Sequence, residues 1–393
     1  MAILFWLSVF LVFYTYAGYP LALFILSRLR PEPKPYGEYW PMVTLLIAAF
    51  NEEKVIAEKL ENTLSLDYPR EKLQILIATD GSTDRTVEIV QSFASQGVEL
   101  SYSPERAGKM AAIDHAMTSV RGEILAMSDA NNLYNPTALS ALVAPFQDPT
   151  VGATGGAKHV LEGDGALGDS EGAYWKYESW IKKQETRLGC ATGAAGEANA
   201  LRRSLYLSPP RDTINDDFFL MMQVIRLGYR MIYVPEAHSV ERVSASAADE
   251  IERRTRIVAG RYQAIAHSRQ LLPFRHPLWV WQVVSHKYLR PLVPFFMILA
   301  FLAALVAVIV PSQSSPVLLW LAHPWNWAAL GAQVVFYLAA WLGKYIGEMG
   351  KAGKLFYLAT FLVNSNYAAF QGFWRFVIRR QSSQWKRAQR RGE

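Results

Sequence analysis

The chain has 393 residues, of which 51% are hydrophobic, 13% aromatic and only 19% charged, whereas a soluble globular protein carries about 25% charged residues. The deficit is local: residues 1–27 hold no acidic, basic or histidine side chain, and residues 291–343 hold only His323. That distribution excludes a disordered chain, a small disulfide scaffold and an ordinary cytosolic enzyme, and the whole formal charge of +6 resides in residues 375–393, which leaves no basic patch elsewhere for a nucleic acid.

In chain order, residues 1–30 read as an N-terminal transmembrane helix. Arg28, Arg30 and Lys34 follow the apolar run and favour a cytoplasmic exit. A signal peptide is the competing reading, but the run lacks a basic start and a small-residue cleavage site. Residues 36–275 then read as a cytoplasmic soluble domain. Short β-branched runs at 43–49, 73–78, 99–101 and 124–127 alternate with helical patterns reaching 63, 83–95, 109–120 and 136–146, which predicts an α/β fold with a mostly parallel, doubly wound sheet. Residues 276–290 mix aromatic and basic side chains as an amphipathic interface helix does, with a core helix of the soluble domain as the alternative. Residues 291–378 predict two or three membrane helices, near 292–310, 327–345 and 355–378, with a turn-rich break at 311–316. The last of these either spans or lies re-entrant, because Asn364, Ser365, Asn366 and Gln371 make it polar. Residues 379–393 form a basic tail suited to anionic headgroups. The single cysteine, Cys190, excludes an internal disulfide and reads as a small buried side chain.

In a doubly wound sheet, ligands sit beyond the carboxyl ends of the strands. The residues at those ends are Phe50, Asn51 and Glu52, then Thr79 and Asp80, then Ser128, Asp129, Ala130 and Asn131. This edge is acidic and rich in amides. Neither G-x-G-x-x-G after a strand nor G-x-x-x-x-G-K-[ST] occurs, which removes the main support for dinucleotide-binding and Walker-type classes. Asp129 with Asn131 two residues later offers oxygen donors to a hard divalent cation, which in turn neutralises a diphosphate; a simple Asx-turn is the plain alternative.

Ala48-Ala49-Phe50-Asn51-Glu52-Glu53, Asp80-Gly81-Ser82-Thr83-Asp84, Gly108-Lys109, Ser128-Asp129-Ala130-Asn131 and Asn215-Asp216-Asp217-Phe218-Phe219-Leu220 follow in that order. Together they resemble glycosyltransferase family 2, in particular its membrane-bound branch of cellulose, hyaluronan and chitin-oligosaccharide synthases. The resemblance implies a GT-A-type nucleotide-sugar-binding domain flanked by transmembrane and interfacial helices. It implies a donor site at Ala49, Asn51, Glu52, Asp80, Lys109 and Asp129, and Mg²⁺ or Mn²⁺ at Asp129 and Asn131, where the family's second Asp has become Asn. It makes Asp217 the general base, with Gly196, Glu197, Asp216, Arg261 and Tyr262 on the acceptor side. His238 either completes the metal site or is a lone surface histidine, and Tyr174, Trp175, Tyr177 and Trp180 either stack on sugars or pack. The family's Q-x-x-R-W stands here as Val258-Ala259-Gly260-Arg261-Tyr262, without the glutamine.

The expected activity is that of an inverting hexosyltransferase in the plasma membrane, building a β-linked polysaccharide from a UDP-sugar and coupling synthesis to export, with a second copy or an export partner. Two alternatives stand beside it: addition of one sugar to a lipid carrier or glycolipid, and a non-catalytic component of an export complex.

Overall fold

The computed structural model describes residues 1–160, 165–194, 196–241, 247–310, 318–346 and 350–381. The expected break at 311–316, Ala195 and the basic tail beyond Gln381 lie outside these residues. The chain divides into two compact units, one of residues 23–249 and 263–283, the other of residues 1–22, 250–262 and 284–380.

After helix α1 (Ala2–Arg28), the first unit alternates β1 (Val43–Ala49), α2 (Ile56–Leu64), β2 (Leu73–Asp80), α3 (Thr86–Ser92), β3 (Val98–Ser103), α4 (Lys109–Ala116) and β4 (Ile124–Asp129). It continues through β5 (Leu133–Tyr134), α5 (Ala138–Val143), β6 (Val151–Val160), α6 (Gly165–Leu188), β7 (Asn199–Arg202), α7 (Asp216–Arg226) and β8 (Arg230–Glu241). The eight strands form one sheet in the order β3-β2-β1-β4-β7-β6-β8-β5. β1 runs parallel to both β2 and β4, β2 to β3, and β6 to β8. β7 is antiparallel to β4 and β6, and β5 to β8. The sheet is therefore mixed and mostly parallel, with every alternating strand of the sequence reading in its parallel half. Val43, Leu45, Leu46 and Ile47 are all buried, because helices cover both faces of a parallel strand and an unbroken apolar run is what such a strand requires.

In the second unit, Phe5 packs with Ala300, Ala303, Ala304, Ala307 and Leu321. Alanines repeated along one helix face let two backbones approach closely. Among the described residues, two helices are long and apolar enough to cross a membrane, α1 and a continuous helix at Pro277–Ile309. Ile3, Leu7, Phe10, Phe13, Ile309, Val335, Trp341 and Trp374 are each more than half exposed. Helices Ala247–Ala266, Trp325–Ile346 and Gly350–Val377 complete the unit, the last forming a single helix across the polar residues 364–366.

One expected boundary is absent. The interface helix at 276–290 and the following span run on as one helix, through a π-helical turn at Val284–Tyr288 and past Pro291 and Pro294. A π turn carries one extra residue within the ladder and lets a helix continue where a regular one would break. His286 and Lys287 within this turn are buried, with the Lys287 Nζ 3.1 Å from His286 Nε2.

Cys190 is buried, and desolvation pushes its thiol up to about 12. A maleimide at pH 7.5 is therefore expected to leave the folded protein unmodified and to add one label in denaturant. Stoichiometric labelling without denaturant would contradict this packing.

Candidate functional site

The order β3-β2-β1-β4 reverses direction at β1, so a crevice opens between the carboxyl ends of β1 and β4. The register sets Ala48 of β1 beside Asp129 of β4, and Ala49 beside Thr79 of β2. Ala49 is buried at the floor of this edge and Glu52 is buried beyond it.

Two turns are laced together above β1 and β2. Asn51 takes a left-handed conformation, φ 54°, which asparagine tolerates better than bulkier residues. Its N–H donates to Ser82 Oγ at 3.2 Å, and its Oδ1 accepts from the Thr83 N–H at 2.8 Å. The Glu52 N–H donates to Thr86 Oγ1 at 2.8 Å. Asp80 is almost wholly buried and spends its carboxylate on the N–H groups of Ala107 at 2.8 Å and Gly108 at 2.9 Å. Gly81 makes this possible: at φ 65°, a Cβ there would sit 2.6 Å from the Arg106 nitrogen. The same loop lays the Arg106 guanidinium over the Phe50 ring, 4.0 Å from its centroid.

Lys109, the first residue of α4, reaches across to Asp129, with Nζ 2.6 Å from Oδ1. These side chains keep 21% and 26% of their surface exposed, enough for a ligand to touch them. Burial opposes the Lys109 charge, but Asp129, Asp216 and Asp217 outweigh it and raise the pKa. Burial likewise opposes the Asp129 charge, and Lys109, Lys158 and Lys59 overcome it and hold the carboxyl below its usual range. Asp216 and Asp217 open α7, where carboxylates suit the positive end of the helix dipole.

Gly196 faces Asp217 directly: a Cβ on Gly196 would lie 3.0 Å from Asp217 Oδ2. The next residue, Glu197, pairs with Lys158 of β6 at 3.1 Å, and Lys158 also binds Glu241 at the end of β8. Burial and the Asp129 charge push the Glu197 carboxyl up, and Lys158 outweighs them and holds it below its usual range. Asn131 donates its amide N–H to Glu241 Oε1 at 3.2 Å. Trp175 on α6 lies 5.5 Å from the Lys158 ammonium, whereas Trp180 stacks on Phe24. The fold thus gathers Ala49, Asn51, Glu52, Asp80, Lys109, Asp129, Asn131, Gly196, Glu197, Asp216 and Asp217 in the first unit.

Two expected acceptor residues belong to the other unit. Tyr262 is 4% exposed, packs on Phe373 and Phe376, and donates its hydroxyl hydrogen bond to the Pro291 carbonyl. The ring expected to stack on a sugar is here enclosed by aromatic packing. Arg261 lies close to Tyr288 of the same unit. His238 stacks on His159 with centroids 4.5 Å apart, and among the described residues no three potential ligands converge on a metal position.

The sequence reading missed two lysines. Lys158 ends an uncharged strand run, and Lys59 sits on the apolar face of α2, one helical turn from Ile56 and Thr63. A lysine at a core position of a helix was the available signal. Desolvation lowers the Lys59 pKa to about 7, with the Asp129 charge working the other way. A lysine with a depressed folded pKa binds fewer protons folded than unfolded between pH 7 and its unfolded value, so stability rises with pH across that window. Thermal melts from pH 7 to 9 are expected to show a rising midpoint, and K59M to lack the rise attributable to this residue; identical pH profiles would refute it.

Residues 44–207 match the family described as Glycosyl transferase family 2. Beta-monoglucosyldiacylglycerol synthase of Nostoc sp. is 29% identical over 208 residues, 51% of this chain and 44% of that protein. Poly-beta-1,6-N-acetyl-D-glucosamine synthase of Staphylococcus aureus is 26% identical over 204 residues, 50% of this chain and 48% of that protein. The chain spans about half the length of the curated relatives it matches. Among solved structures, the mannosyltransferase PcManGT of Pyrobaculum calidifontis, in complex with GDP-Man and Mn²⁺, superposes with a TM-score of 0.69 at 22% identity, over 94% of this chain and 99% of that one, and shows the shared fold. Residues 44–207 are thus similar to glycosyltransferase family 2, and the fold is GT-A-like α/β.

Proposed function

We propose that this chain is a membrane-embedded inverting glycosyltransferase that transfers one sugar from a UDP-sugar to a lipid-linked acceptor. The observation that carries this reading is the shared edge: the Lys109–Asp129 pair lies in the field of Asp216 and Asp217, and Gly196, with no Cβ, stands directly against Asp217 Oδ2. Donor edge and candidate base therefore meet at one place.

In this reading the Asn51 and Asp80 turns shape the nucleoside end. Asp80 acts by holding the Ala107–Gly108 loop rather than as a free carboxylate. Asp129 and Asn131 supply hard oxygen donors, and the Asn131 amide N–H is turned to Glu241, which keeps its carbonyl oxygen for a cation. That donor set suits Mg²⁺ or Mn²⁺. Such an ion, when bound, offsets the negative charge that develops on the departing diphosphate. Lys109 adds positive charge on the same side. Asp217 accepts the proton of the attacking acceptor hydroxyl, whose own pKa is far above neutrality. One base and a direct attack mean a single displacement, so an α-linked donor yields a β-linked product.

The burial of Tyr262 favours single addition over polymerisation, because the residue aligned with the family's sugar-stacking Trp is packed away. Similarity to glycolipid synthases points the same way. Similarity to a polysaccharide synthase supports the second reading, a polymerase coupled to export with a further copy or partner. The apolar length of α1 and Pro277–Ile309 and the exposed apolar side chains support anchoring in the cell membrane, and Arg28, Arg30 and Lys34 support a cytoplasmic catalytic domain.

Asp217→Asn is expected to lower transfer by about 10² to 10⁴ while UDP binding stays unchanged; a loss under tenfold would remove Asp217 from the base role. Gly196→Ala, which crowds Asp217 Oδ2, is expected to cost about tenfold or more in turnover with donor affinity kept, and wild-type turnover would show that the carboxylate is free to shift. EDTA followed by dialysis is expected to abolish transfer and added Mn²⁺ to restore it. Sizing of radiolabelled products under excess donor separates the two acceptor readings: one added sugar supports the first, a ladder the second.

A further inference from the structure

Lys59 is fully buried on α2, beneath the β4–β5 turn that carries Asp129 and Asn131. Its ammonium donates to Ser128 Oγ at 2.8 Å and to Asn132 Oδ1 at 2.7 Å, and stands 4.2 Å from the centroid of the Tyr134 ring. These three partners flank Asp129 and Asn131 on both sides in sequence, and all three are neutral. The turn is fixed from its other side as well. Asn132 donates to the Glu197 carbonyl at 2.9 Å, and the Tyr134 hydroxyl donates to the same oxygen at 2.8 Å.

A side chain needed only to fill this space would be leucine or methionine, since a buried ammonium is costly to desolvate. The carboxylate nearest in charge, Asp129, is already paired with Lys109, so Lys59 is not required as its counter-ion. Lys59 binds both ends of the five-residue turn at once, and the Ser128 hydroxyl closes the same span by donating to Asn132 Oδ1 at 2.9 Å. We infer that Lys59 is a positioning residue that holds the Ser128–Asn132 turn in the shape that presents Asp129 and Asn131 to a nucleoside diphosphate and its cation. The inference rests on the donor-site reading above and adds to it a residue outside the crevice. It also ties this turn to Glu197, because Asn132 and Tyr134 carry the same constraint to the loop that faces Asp217.

The test is calorimetric titration of UDP, with GDP as comparator, into the purified full chain in detergent, with and without MnCl₂, alongside thermal melts. K59M keeps the length of the side chain and removes its donors. It is expected to fold, to bind UDP with Mn²⁺ about 10- to 100-fold more weakly, and to need more Mn²⁺ for half-saturation. K59R is expected to behave like K59M, since a planar fork does not reproduce the three-way geometry of an ammonium. A K59M protein with a lowered melting midpoint but unchanged UDP and Mn²⁺ affinity would overturn the inference and leave Lys59 as structural only. Should K59M fail to fold, S128A, which removes one acceptor of the ammonium together with the Ser128–Asn132 hydrogen bond, loosens the same turn and carries the comparison with the same two outcomes. D129A distinguishes the two levels of the argument. If D129A binds UDP and Mn²⁺ as wild type does, the donor-site reading itself fails; if D129A loses binding and K59M keeps it, only the positioning role fails.

Discussion

Every site feature depends on β1 being a fully paired, fully buried parallel strand. A strand in that position satisfies its backbone groups only by hydrogen bonding to β2 on one side and β4 on the other. Its side chains are covered on both faces, so the register cannot slip without exposing the apolar run from Val43 to Ile47. That register is what sets Ala48 against Asp129 and brings the turns after β1, β2 and β4 to one edge. The crevice is thus a by-product of strand order, and the side chains around it inherit their positions from the sheet.

Charge is the second constraint on this edge. Lys109 is spent on Asp129, and Lys158 is spent on Glu197 and Glu241. Desolvating such groups costs several kcal/mol per ion unless partners compensate, and here each pair is placed so that its partner belongs to another element. Lys109 on α4 meets Asp129 on β4; Lys158 on β6 meets Glu241 on β8 and Glu197 of the loop before β7. The first pair ties α4 to β4 within the parallel half and the second ties β6 to β8 and to the loop before β7 within the mixed half, while β7 joins the two halves through its antiparallel ladders.

The second unit follows a different packing pattern. Its helices bury alanine faces and a few internal hydrogen bonds, such as Asn326 to the Ala307 carbonyl at 2.9 Å and Tyr14 to Ser285 at 2.8 Å, and turn large apolar side chains outward. This is the reverse of the first unit, in which the β1 core is apolar and the outer surface charged. Small residues at helix contacts and bulky ones outside are expected where lipid removes any gain from burying Leu or Phe. The buried Tyr262 belongs to this packing.

The sequence by itself determined the alternating strands and helices of the parallel half, because continuous β-branched runs and amphipathic periods are local signals set by 43–49, 73–78 and 124–127. It determined the chemistry-bearing ends of those strands, since topology rules place Asn51, Asp80 and Asp129 at the ligand edge once the strands are known. It also determined the apolar segments. Only the tertiary structure decided that β7 inserts antiparallel beside β4, that Asp80 is committed to the Ala107–Gly108 loop, and that Gly196 stands against Asp217. The same holds for the unbroken helix Pro277–Ile309, the burial of Tyr262, and the role of Lys59 and Lys158. The reason is common to all of them: each depends on contacts between residues tens of positions apart, or on a backbone turn whose energy is set by what packs against it. Such pair energies leave no periodic trace in the sequence, whereas burial of a strand or a helix face repeats every two or every three to four residues and can be read directly.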